Sequence, residues 1–170
     1  MKVGKEIALE AKKKAICQEW FSEMTKQNNI QPLCEMYFKG SDWAMENDFP
    51  SLELLRKFKG NPERFGLYAD FIGSAGLLNV SNTQRIAFFG NSQADLICED
   101  WSVCEVYVRH NSEVKITAGE NAIVIVNLLD SANIEILAEE NANVKVYQYG
   151  SQSNFTVSGS VEIIERSWQK

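Results

Sequence analysis

Residues 91–160 read NSQADLICED WSVCEVYVRH NSEVKITAGE NAIVIVNLLD SANIEILAEE NANVKVYQYG SQSNFTVSGS. Written in tens, the stretch stacks on itself for seven decads without an insertion. The first position holds Asn, Ser or Trp: Asn91, Trp101, Asn111, Asn121, Ser131, Asn141 and Ser151. The second is mostly Ser or Ala. The fourth and sixth are mostly aliphatic, as in Val114 with Ile116, Val124 with Val126, Ile134 with Ile136 and Val144 with Val146. The tenth is often acidic: Asp100, Glu120, Asp130 and Glu140. Period-two alternation puts positions two, four, six and eight on one face of a strand. Asn and Ser at the boundary suit a tight corner. Each decad therefore reads as one short strand and one corner.

Fixed-period self-similarity marks a solenoid or array. With two strands per coil, residues twenty apart stack at about 4.8 Å. One such column, Asp95, Lys115 and Glu135, alternates in sign, as neighbouring strands prefer. The rival is an antiparallel meander, which pairs adjacent decads instead of alternate ones. The expected fold class is α+β: a short helical cluster, residues 1–64, capping a β-helix- or β-roll-like solenoid, residues 65–170, the two packed as one unit.

The helices are read as follows. Residues 5–27 form one helix, with Ile16, Cys17, Trp20, Phe21 and Met24 at helical spacing. Pro32 suits the first turn of a second helix over 31–38, stopped by Gly40. Ser41 caps a third through Met45, and Ser51 caps a fourth carrying Leu52, Leu55 and Phe58. Residues 65–90 change register: 65–72 are apolar, a break follows over 73–76, then a short strand over 77–80 and a first, irregular strand over 85–89. With the helical cluster they form the N-terminal cap. Val161, Ile163 and Ile164 form a last strand, and Arg166, Trp168 and Lys170 give a polar close.

The net charge is −6 and unevenly spread. Residues 1–60 hold ten Lys/Arg and nine Asp/Glu; residues 61–170 hold the remaining seven and fourteen. An acidic solenoid repels nucleic acid, and no helix carries a basic recognition face. No run of eighteen apolar residues exists to span a membrane, and Lys12 to Lys14 interrupt any signal-peptide core. The expectation is an intracellular, cytoplasmic protein. Cys17, Cys34, Cys98 and Cys104 lack CxxC pairing; Cys98 and Cys104 fall on inward positions and read as reduced, buried thiols.

Of the two outward faces, the one bearing Val103, Tyr107, Ile123, Ile125 and Tyr147 is the more apolar, and large apolar patches mark interfaces. These five are the candidate partner-binding residues, unless the helices cover them. Asp100, Glu120 and Glu140 fall in one corner column, beside Glu99 and Glu139. Stacked carboxylates splay, share protons or hold a hard cation, so the three are candidate Ca²⁺ ligands, although the glycine-rich calcium repeat is absent. No other cofactor is expected. The single histidine, His110, lacks a GxSxG or HExxH context, and the uninterrupted decads leave no long loops for a substrate groove.

At residues 33–40 (LCEMYFKG), 47–51 (NDFPS) and 107–112 (YVRHNS), the chain resembles uncharacterised proteins of gut Bacteroidetes and their phages that pair a short helical N-terminus with valine-rich repeats. The resemblance covers most of the chain. It implies a phage- or mobile-element-linked protein and carries over no activity or catalytic residue. The expected function is a non-enzymatic binding or assembly module, acting on a protein partner or as a homo-oligomer. The alternatives are an acidic decoy or inhibitor of a basic host protein, and a small hydrolase-like enzyme using His110.

Overall fold

The computed structural model describes residues 2–75, 78–80 and 83–168. Gly76, Leu77 and Lys170 of the reading above lie outside them. The chain divides into two compact units, Met1–Phe65 and Gly66–Lys170.

The first unit is helical: α1 Val3–Lys13, α2 Gln18–Lys26, α3 Gln31–Lys39, α4 Ser41–Glu46, α5 Leu52–Lys57 and a 3₁₀ turn, Pro62–Phe65. The single helix expected over 5–27 is two. Ala15 takes a left-handed φ of 59°, so the chain turns there and α2 packs back on α1. Nothing as plain as Gly or Pro marks this break. Gly4 makes the packing possible: a Cβ there would sit 2.1 Å from the Met24 carbonyl oxygen. Ser41 is the first residue of α4 rather than its cap; Gly40 holds the cap position. Ser51 does cap α5, its Oγ accepting from the Leu54 amide at 3.2 Å. The same residue donates from N and Oγ to the two carboxylate oxygens of Glu10, both at 2.7 Å, which ties α1 to α5.

The second unit is a parallel β-solenoid. Its strands are β1 Leu67–Ala69, β2 Ile72–Ser74, β3 Leu78–Val80, β4 Thr83–Phe89, β5 Gln93–Cys98, β6 Val103–Val108, β7 Glu113–Ala118, β8 Ile123–Leu128, β9 Asn133–Ala138, β10 Asn143–Tyr149, β11 Asn154–Ser158 and β12 Val161–Arg166. Sheet A runs β1-β4-β6-β8-β10-β12, and sheet B runs β2-β5-β7-β9-β11. Every pairing along both paths is parallel; β3 alone lies antiparallel, on the first half of β4. Alternate decads pair in register at twenty residues, as in Val114 with Ile134 and Val106 with Val126. The meander is thereby excluded.

The core is the set of inward positions from both sheets, including Leu96, Val106, Ile116, Val124, Val126 and Ile136, each at most 1% exposed. Burying each such side chain stabilises by roughly 1.5–3 kcal/mol. The register departs from twenty at the ends. β2 meets β5 at a spacing of 21 (Ile72 with Gln93) and β12 meets β10 at 17 (Val144 with Val161). The segment expected to be an irregular cap thus already supplies strands to both sheets, with β1 on β4 and β2 on β5. The pattern was hidden there because strands of three residues show too little alternation. Among the described residues no helix is long and apolar enough to cross a membrane.

Candidate functional site

Each coil of the solenoid turns at two corners. Residues 99–102, 119–122 and 139–142 stack as the first, which leads from sheet B to sheet A. Residues 89–92, 109–112 and 129–132 stack as the second, which returns. Both use a left-handed residue, but at different places. At the first corner it is the third of the four: Trp101 (φ 61°), Asn121 (61°) and Asn141 (62°). At the second it is the second of the four: Gly90 (72°), His110 (58°) and Asp130 (57°).

The second corner spends its polar side chains on its own backbone. His110 Nδ1 accepts from the Gly90 amide at 3.0 Å, one coil away. Asp130 Oδ2 repeats the step, accepting from the His110 amide at 2.9 Å and from Arg109 Nε at 3.2 Å. Ser92 Oγ donates to the Phe89 carbonyl at 2.7 Å, and Ser112 Oγ to the Gly90 carbonyl at 3.3 Å. His110, the residue of the hydrolase-like alternative above, is engaged in holding this turn, as is Ser112.

The first corner presents its carboxylates outward, while Ser102 Oγ donates to the Glu99 carbonyl. Glu99, Asp100, Glu120, Glu139 and Glu140 are all exposed, and among the described residues none pairs with a Lys or Arg. Elsewhere on the solenoid charges pair across coils: Arg85 with Glu105 at 2.8 Å, Lys115 with Glu135 at 3.3 Å and Lys145 with Glu162 at 3.3 Å. The corner carboxylates also splay. A Cβ on Gly119 would lie 2.3 Å from Asp100 Oδ1, so glycine is what lets Asp100 fold over that turn. Glu139 Oε2 accepts from the Glu120 amide at 3.2 Å. With the side chains so divided, Asp100, Glu120 and Glu140 do not form a metal-ligating group among the described residues.

Large apolar side chains flank this acidic corner. Trp101 is 79% exposed and Ile97 65%, with Leu137 and Ile123 at 44% each. Ile97, Thr117 and Leu137 are in register on the outer face of sheet B. Ile97, Glu99, Asp100, Thr117, Gly119 and Glu139 line a shallow hollow of about 410 Å³. It has an apolar wall and a carboxylate rim.

The apolar strip singled out from the sequence fares differently. Only Ile123 is exposed; Val103, Ile125 and Tyr147 are half-buried. Tyr107 is buried at 1% exposure, its hydroxyl donating to Glu105 Oε1 at 2.7 Å. The strip is also more polar than its sequence suggests. The column through Ile125 carries Arg85, Glu105, Lys145 and Glu162 in register, and Arg166 stacks 4.1 Å above the Tyr147 ring. Ile97 and Leu137 were missed because they come into line only across coils, through Thr117. The clue available was an unsupported Trp at a decad boundary beside two acidic residues.

All four cysteines are free, Cys17 exposed and Cys34, Cys98 and Cys104 buried. Burial, with Glu35 and Glu63 nearby, pushes the Cys34 thiol up to about 12. The hydrogen bond with Cys104, together with burial, pushes the Cys98 thiol up. No family model, no curated protein and no solved structure matches the chain.

Proposed function

We propose that the protein is a non-enzymatic binding module whose working surface is the first corner of the solenoid, and whose partner is a basic protein segment. The hollow at Ile97 and Glu99 carries this reading. A long Lys or Arg side chain lays its methylenes on apolar surface while its charged head seeks carboxylates. Ile97 and Thr117 offer the surface, and Glu99, Asp100 and Glu139 offer the carboxylates. Trp101, 79% exposed beside them, is the residue type most enriched at binding hot spots. The unpaired acidic set also steers a basic partner by long-range attraction.

The test is affinity capture from lysate of the source cell, with the wild type and with Glu99→Lys combined with Glu139→Lys. A partner held by the wild type in 50 mM salt is expected to be lost from the double variant and weakened in 300 mM salt. Equal capture by both proteins contradicts the reading.

A further inference from the structure

The helical unit has a cavity of its own, separate from the surface just proposed. It measures about 430 Å³ and is lined by α2, α3, α4 and the turns beside them. Ligand pockets span about 300–1,000 Å³, and well-packed interiors leave few voids larger than a water molecule. The walls are Trp20, Met24, Met36, Tyr37, Trp43 and Phe49. Trp20 and Trp43 are half-buried and both line the cavity, Trp43 with its ring packed on Phe49 at 5.3 Å between centroids. Gly40 sets its shape: a Cβ there would come 3.1 Å from the Trp20 ring, so glycine lets that indole lie against the α3–α4 junction. Polar groups are few. Lys39, Asp42 and Cys17 also line the cavity and are exposed. An apolar, aromatic interior with a small number of polar groups is the make-up of a small-molecule site.

We infer that this cavity binds a flat, largely apolar small molecule, its rings among Trp20, Trp43 and Phe49 and one polar substituent beside Lys39 and Asp42. Methionines suit such a site because their unbranched, polarizable side chains adapt to a ring face. Cys17 supplies the test. It is the exposed member of the four thiols, and the others are buried. A bulky maleimide therefore reacts at the cavity wall and obstructs it.

The probe is 1-anilinonaphthalene-8-sulfonate, an aromatic body with one anionic group, titrated into the full chain. The expected result is saturable binding of one equivalent, with energy transfer from tryptophan. Alkylation by N-phenylmaleimide is expected to weaken that binding at least ten-fold, with the far-ultraviolet circular dichroism unchanged. Cys17→Ser given the same treatment is expected to keep the affinity of the untreated protein. Absence of saturable binding overturns the inference, and so does binding that survives alkylation. Loss of binding in treated Cys17→Ser overturns it as well, because the effect then comes from another thiol.

Discussion

The two corners of the solenoid do the same geometric task with opposite use of their side chains. At the second corner, His110 and Asp130 each bond the amide of the left-handed residue one coil away, so the side chains belong to the fold. The same backbone bond closes both turns, as in Ala122 N to Gly119 O at 3.0 Å and Ala132 N to Leu129 O at 3.2 Å; at the first corner the added side-chain bonds are Ser102 Oγ to the Glu99 carbonyl and the Glu120 amide to Glu139 Oε2. Glu99, Glu120 and Glu140 are then left facing water. A polar side chain held by two bonds to its own turn, as Asp130 is, is unavailable to a partner, whereas Glu139 gives its turn only Oε2 and stays exposed. One left in water, next to exposed Ile97 and Trp101, is available.

The largest expected effect breaks the second corner. Asp130→Ala removes the acceptor of the His110 amide and Arg109 Nε, costing about 2 kcal/mol. It also places a Cβ without a compensating side-chain bond in left-handed backbone, for roughly 1 kcal/mol more. Asp130→Gly keeps the first loss and relieves the second, so it should fall between the wild type and Asp130→Ala in urea unfolding. Equal stability of all three proteins would mean that the side-chain ladder holds nothing.

Substitutions at the first corner sharpen the contrast with smaller numbers. Asn141→Ala keeps only the left-handed strain and is expected to cost about 1 kcal/mol. Glu140→Ala, exposed and without an ion-pair partner among the described residues, is expected to change stability by less than about 0.5 kcal/mol. Urea unfolding measures both. A loss at Glu140 as large as that at Asp130 would erase the distinction between the corners.

The decad pattern carried the middle of the fold in full. Inward positions such as Val114, Val124 and Ile134 alternate with outward ones, and a slip of one residue would turn every one of them out of the core. The ends were less legible. β1 and β2 have three residues each, and the short turn at Gly159, at positive φ, brings β12 onto β10 at a spacing of seventeen. The split between α1 and α2 was hidden because Ala15 takes a left-handed conformation that its residue type seldom adopts. The candidate surface was half legible. The stacked carboxylates follow from a twenty-residue period. The different turn at each corner does not, because Asn, Asp and His all tolerate left-handed backbone. Nor does the burial of Tyr107, whose neighbours on sheet A are Ala87 and Asn127 from adjacent coils.

The most direct measurement is photo-crosslinking with p-benzoylphenylalanine placed in turn at position 101, on the first corner, and at position 111, on the second. Both positions are exposed. The expected result is a crosslinked partner from position 101 that disappears with Glu99→Lys and Glu139→Lys, and none from position 111. Crosslinking from position 111 and not from 101 would contradict the account, since the partner would then be bound by the corner whose side chains hold the coil.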